Sequence, residues 1–159
     1  MGHRPEHSCQ RWSDDVSAQS SFRVEYASSR QRDDAAAIQY LVRRYTDAVN
    51  HREWDTVRDC WDEDGVWDLG PPVNVRKTGR DDIMAEVRST VEAMKFFFQM
   101  PHASTILSLD NDQATGRTSL HEIAKMKPGS GVMDGAEGMS IHASYLDKFV
   151  RSSDGQWRF

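Results

Sequence analysis

The chain has 159 residues, 38% of them hydrophobic, with 20 Lys and Arg against 25 Asp and Glu and a formal net charge of −5. That length suits one domain able to bury about two-thirds of its unfolded surface. The interspersed, mildly acidic charge argues against nucleic acid or an anionic membrane as the main partner, and no apolar run approaches the ~18 residues of a membrane span.

The first segment, residues 1–33, is polar and without a convincing period, and reads as a mobile arm with at most a short ordered piece around Phe22–Tyr26. It has no apolar stretch of the secretory type. His3, His7 and Cys9 match no zinc spacing. Cys9 and Cys60 lie in unlike contexts and there is no Asn-x-Ser/Thr acceptor, so a reducing cytoplasm is the simplest expectation.

The domain itself is expected over 34–159. A first helix is predicted to start near Asp33 or Asp34, either able to accept from a free N–H of the first turn. Ile38, Leu41, Val42, Tyr45, Ala48 and Val49 recur at three- and four-residue spacing and form one apolar stripe. A second helix is predicted over Glu53–Trp61, with Trp54, Val57 and Trp61 on one face. Asp64-Gly65 turns the chain into a strand at Val66–Leu69, which Gly70-Pro71-Pro72 ends because proline cannot donate to a ladder. A third helix follows over Asp81–Met94, striped by Ile83, Val87, Val91 and Met94, with an acidic first turn that suits the helix dipole.

Four β segments are predicted next: His102–Leu109, Gln113–Met126, Met139–Val150 and Gln156–Phe159. The connections between them suit antiparallel hairpins, and the glycine-rich one at Pro128–Gly138 has the flexibility of a lid. Helices first and strands after make an α+β pattern. There is no phosphate-cradling glycine loop, nucleophile elbow or metal-spaced cluster. No cofactor and no metal is therefore expected.

The order of elements from Ala35 to Leu69 (AAAIQYLVRRYTDAVNHREWDTVRDCWDEDGVWDL), with Tyr45, Asn50 and Trp54 at these spacings and a later PHAS at Pro101–Ser104, resembles the SnoaL-like branch of the nuclear-transport-factor-two-like superfamily. Within it the chain is most similar to the scytalone dehydratase and hexachlorocyclohexane dehydrochlorinase families. The likeness covers Ala35–Phe159. It implies a cone-shaped α+β barrel, three helices packed on a strongly curved antiparallel sheet that encloses a pocket. Relatives usually continue past the last strand, which leaves room for a closing tail beyond Phe159.

The resemblance implies cofactor-free elimination by an Asp–His pair. His102 matches the histidine, and imidazole suits the work because it can take and return a proton near neutral pH. Asn50 stands where those relatives carry aspartate. Its oxygen can fix an imidazole tautomer but cannot neutralise an imidazolium; equally, it suits a helix C-cap. Tyr45 matches a tyrosine of some related dehydratases and suits a donor to a substrate carbonyl, yet it also lies on the apolar stripe as a core residue would. Asp47 is the nearest carboxylate to Asn50, with Arg43 one turn before it as a surface partner.

His121 is a candidate for a substrate oxygen, although Leu120 and Ala124 give the opposite strand face an equal claim to the interior. Of His142 and Tyr145, opposite in parity, Tyr145 is the better inward candidate. Trp54, Trp67 and Phe98, with Trp61, Phe96 and Phe97, offer aromatic surface for a flat apolar ligand, or simply core.

Three functions follow. The first is a cofactor-free lyase, isomerase or cyclase acting on an apolar oxygenated compound such as a polyketide, terpenoid or steroid. The second is a binding protein of the same fold, favoured by the missing aspartate. The third is a structural subunit of a larger enzyme. Related folds commonly dimerise through the exposed sheet face, so a homodimer or higher homo-oligomer is expected.

Overall fold

A computed structural model describes residues 28–128 and 138–159. The greater part of the predicted N-terminal arm, with His3, His7, Cys9 and Phe22–Tyr26, lies outside the described residues, as does the stretch 129–137 of the candidate lid.

Helix α1 runs Ser29–His51 and begins several residues earlier than Asp33. Ser28 is its cap, its hydroxyl accepting from the Gln31 N–H at 3.2 Å. Asp34 is instead buried against the far end of the chain, where it accepts from Trp157 Nε1 and pairs with Arg151. Burial works to raise the Asp34 carboxyl, but the Arg151 and Trp157 bonds outweigh it and hold the group below the usual range. Arg52, in the left-handed conformation, closes α1, and a short helix α2 follows at Trp54–Asp59.

Strand β1 (Val66–Asp68) does end at the glycine and prolines, but these form a single helical turn, α3 (Gly70–Val73), with proline in its first positions. The chain then returns as β2 (Arg76–Thr78), antiparallel to β1, a hairpin the sequence reading does not contain. Helix α4 (Arg80–Glu92) buries Ile83, Val87 and Val91.

The main sheet has the order β3 (Met94–Asp110), β4 (Gln113–Met126), β5 (Met139–Arg151) and β6 (Trp157–Arg158), antiparallel throughout. Strand β3 begins eight residues before His102, so the KFFFQM segment is strand. Its register shifts three times, between Met94 and Phe96, Pro101 and Ala103, and Ile106 and Ser108. Each shift adds a residue and tightens the local bend, which is how a 17-residue strand curls around the helices.

The core has two parts. One packs Ile38, Leu41, Val42 and Cys60 against Ile106, Ala114, Phe149 and Trp157. Gly116 lets β4 approach there: a Cβ would stand 2.9 Å from the Phe149 ring. The other joins Ala48, Val49, Val57 and Trp61 to Ile83, Val87 and Val91 of α4. Phe159 locks the end of the chain to α2, donating to Cys60 O and accepting from the Asp62 N–H, both at 2.9 Å. No helix among the described residues is long and apolar enough to cross a membrane.

Candidate functional site

Between the concave sheet face and the helices lies a cavity of about 230 Å³. Helix α1 contributes Val42, Tyr45 and Val49, and α4 contributes Val87, Thr90 and Val91. Trp61, Trp67 and Leu69 form one wall, and the sheet supplies the rest. Tyr45, Trp61 and Phe159 pack ring on ring, with centroids 5.3–5.9 Å apart. Such rings are rigid and keep the space open with little side-chain freedom to lose.

Strand alternation decides which polar groups enter. On β3, Phe97 and Gln99 line the cavity while Phe96 and Phe98 stand exposed on the other face. On β4, Thr118 and Glu122 point in, and on β5, Ile141, Tyr145 and Asp147. Two carboxylates thus enter a largely apolar space, and among the described residues none of its lining is Lys, Arg or His.

The two are held differently. Glu122 Oε1 accepts from Gln99 Nε2 at 2.6 Å. Gln99 is itself fixed by Asn50, whose Nδ2 donates to the Gln99 carbonyl and whose Oδ1 accepts from the Gln99 N–H, both at 2.8 Å. Asn50 therefore acts as a stand-in strand for the outer edge of β3, and through Gln99 it positions Glu122. Tyr145 lies against Glu122; burial first, then the charges of Glu122 and Asp147, push its phenol well above the ordinary value. The partly buried Tyr45 phenol is driven up too, chiefly by desolvation. Both phenols are kept as O–H donors.

Asp147 accepts from Thr118 Oγ1 at 2.9 Å, with Ser104 Oγ 3.3 Å from the same hydroxyl. That bond lowers its carboxyl, but desolvation is the larger effect and the net shift is upward. The Cys60 thiol is buried, donates to Thr56 O, and is pushed up to about 11 by desolvation, so it stays a thiol.

A second cleft, about 490 Å³, adjoins the cavity and shares Trp61, Trp67, Tyr145, Asp147 and Phe159 with it. It runs between the β1–β2 hairpin and the stretch of β5 that β6 leaves unpaired, and so brings Asp147 within reach of solvent.

The residues singled out from sequence fall into two groups. Tyr45, Trp67 and Tyr145 line the cavity, and Asn50 supports it from behind Gln99. His102 is exposed and outside the lining, because the register shift between Pro101 and Ala103 leaves it without a partner on β4. Its ring stacks on His121 at 6.3 Å, and His121 stacks on His142 at 4.2 Å. His121 Nε2 is 2.7 Å from Ser140 Oγ. These three rings make a ladder on the outer sheet face, near the exposed Phe98 and Ile123. Trp54 packs on the second core cluster under Arg88. Asp47 lies against His51, one turn along α1.

Gln99, Thr118, Glu122 and Asp147 were not among the expected residues. Asp147 was within reach of sequence reasoning, since it shares strand parity with Tyr145 and with Phe149. Gln99 was hidden by beginning the strand at His102.

A cone of helices on a curled antiparallel sheet, with a lined cavity inside, is the architecture of small pocket proteins. The SnoaL-like domain family matches residues 30–159, and the chain belongs to it. Among curated proteins no sequence matches this one. Solved structures share the fold. A candidate scytalone dehydratase from Novosphingobium aromaticivorans is 17% identical, with a TM-score of 0.67 over 80% of each chain. A hexachlorocyclohexane dehydrochlorinase from Novosphingobium barchaimii is 19% identical, at 0.67, over 81% of this chain and 83% of that one. The Kfla4162 protein from Kribbella flavida is 23% identical, at 0.69, over 80% and 86%. At these identities the likeness is one of fold.

Proposed function

We propose that this protein is a cofactor-free acid–base enzyme, a lyase, isomerase or cyclase, acting on an apolar oxygenated small molecule held in the inner cavity. One observation carries the reading: Asp147, a carboxyl raised by burial and bonded to a single hydroxyl, sits in an aromatic cavity. Groups perturbed by desolvation inside clefts are the usual carriers of proton chemistry.

In this reading ionised Asp147 removes a proton from carbon and passes it to solvent through the adjoining cleft. Tyr45 and Tyr145 donate to the substrate oxygen, where negative charge develops. In an elimination the C–H bond breaks, its electron pair forms the double bond, and the leaving oxygen departs with a proton drawn from a phenol. Tyr145, which also lines that cleft, takes its proton back from solvent there, balancing the one Asp147 releases. Asn50 positions Gln99 and hence Glu122. His102 has no part in the step, because it lies on the other face. Dehydratases and dehydrochlorinases among the fold neighbours support the class of reaction.

The test is mass-spectrometric turnover over a panel of hydroxylated polyketide, terpenoid and steroid compounds, with wild type beside Asp147→Asn. General acid–base catalysis contributes about 10²–10⁴-fold, so a product that falls by at least about 10² in the variant is expected. Turnover that survives the change rejects Asp147 as the proton carrier.

A second reading, ligand binding without turnover, is favoured by Asn50 at the family's aspartate position and by His102 lying outside the cavity. Compounds that bind tightly and leave unchanged across the whole panel would establish it. A homodimer through the outer sheet face is supported by exposed Phe96, Phe98, Leu107 and Ile123. A single monomer peak across a concentration series would remove it.

A further inference from the structure

The cavity has an unusual charge inventory for a place meant to hold an organic molecule. Among the described residues its ionisable wall groups are two carboxyls, Glu122 from β4 and Asp147 from β5, and two phenols, Tyr45 from α1 and Tyr145 from β5. Helix α4 contributes only Val87, Thr90 and Val91, with no charge. Glu122 has protein donors in the Gln99 amide and the Tyr145 phenol, whereas among the described residues Asp147 has only the Thr118 hydroxyl, although a carboxylate offers about four acceptor positions.

The adjoining cleft repeats the bias. Asp62, Asp64, Asp68 and Asp147 outnumber Arg76 and Lys148 along it. Arg76 and Asp68 offset each other in an ion pair, which leaves Asp62, Asp64 and Asp147 against Lys148. A ligand arriving through this cleft meets acidic groups first and an unpaired carboxyl at the inner end. Like charge in a low-dielectric space is strongly unfavourable, while a donor group on the ligand fills the empty acceptor positions of Asp147.

We infer that the cavity selects its ligand by charge: it takes apolar molecules that present a hydrogen-bond donor, a hydroxyl or an ammonium, to Asp147, and it rejects carboxylates. Aromatic walls from Trp61, Trp67 and Phe159 suit both a neutral body and a cation. The inference rests on the proposed ligand-holding cavity and names the substrate class for it. Acyl compounds ending in a free acid are excluded, so a reaction that supplies this substrate must leave it as an alcohol, an amine or a ketone-bearing alcohol.

The experiment is calorimetric titration of the full chain, at mildly alkaline pH, with one skeleton in three forms: naphthalenemethanol, naphthalenemethylamine and naphthalene carboxylate. The alcohol and the amine are expected to bind, and the carboxylate at least about thirtyfold more weakly, as like-charge juxtaposition demands. In Asp147→Asn/Glu122→Gln the gap should close to within about threefold, because the carboxylates that cause it are gone. A carboxylate that binds wild type as well as the alcohol does, or a gap that persists in the double variant, overturns the inference while leaving a ligand cavity standing. Failure of all three forms to bind overturns the cavity reading itself. The alcohol doubles as a folding control, since its binding to the double variant shows that the cavity has formed.

Discussion

Asn50→Ala tests the claim that α1 positions the cavity wall through a side chain. The residue makes two hydrogen bonds of 2.8 Å, both to the backbone of Gln99 on the outer edge of β3. Each such bond contributes about 1 kcal/mol net, and stranding the groups of buried Gln99 adds to the loss, so about 2–4 kcal/mol is expected in total. For a chain of this size that is a fall of about 4–16 °C in Tm. Asn50→Asp, which restores the family's residue, keeps the acceptor for the Gln99 N–H but turns an oxygen toward the Gln99 carbonyl. Its carboxyl should therefore titrate above the ordinary ~3.9 in the folded state. A group raised on folding is least costly below its unfolded value and costs more as pH rises through the folded one, so this variant should approach wild type at acid pH and lag at neutral pH. Urea denaturation at both pH values is the assay. An alanine variant within about 0.5 kcal/mol of wild type, as for an ordinary surface change, would refute the reasoning.

The same linkage applies to Asp147 in wild type. Its folded value is raised, so stability should decline as pH climbs through the range above the unfolded ~3.9, and Asp147→Asn should flatten that slope in paired urea titrations. Asp34 has the opposite sign: with its value lowered, it contributes stability at neutral pH that is lost on acidification, and Asp34→Asn should remove that part of the acid sensitivity. Gly116→Ala would set a methyl 2.9 Å from Phe149 and 3.2 Å from Thr105 O, so a loss of about 1–3 kcal/mol by overpacking is expected in thermal denaturation.

The helices and most of the sheet were legible in the sequence because each carries one strong period. The hairpin signals around Asn111 and Gly155 place β4, β5 and β6 nearly residue for residue, and the stripe from Ile38 to Val49 places the body of α1 but not its start at Ser29. Three things were not legible. The run Lys95–Met100 has no alternation in its letters, since three consecutive phenylalanines hide that only Phe97 faces inward. The register shift at His102 is a tertiary event: nothing local in PHAS says that one residue will be left unpaired, yet that shift decides which side of the sheet the histidine takes. The family likeness named the pocket, and strand parity, carried through β5, would have named Asp147. The hairpin return at Arg76–Thr78 was missed because three residues are too few to show a period.

The inner face is the working face in this account, and the outer one, with its histidine ladder, is not. Amide chemical-shift mapping of the full chain with naphthalenemethanol separates the two directly. The account predicts the largest shifts at Gln99, Thr118, Glu122, Tyr145 and Asp147, with His102, His121 and His142 little changed. Shifts concentrated on those three histidines, with the cavity residues still, would contradict it.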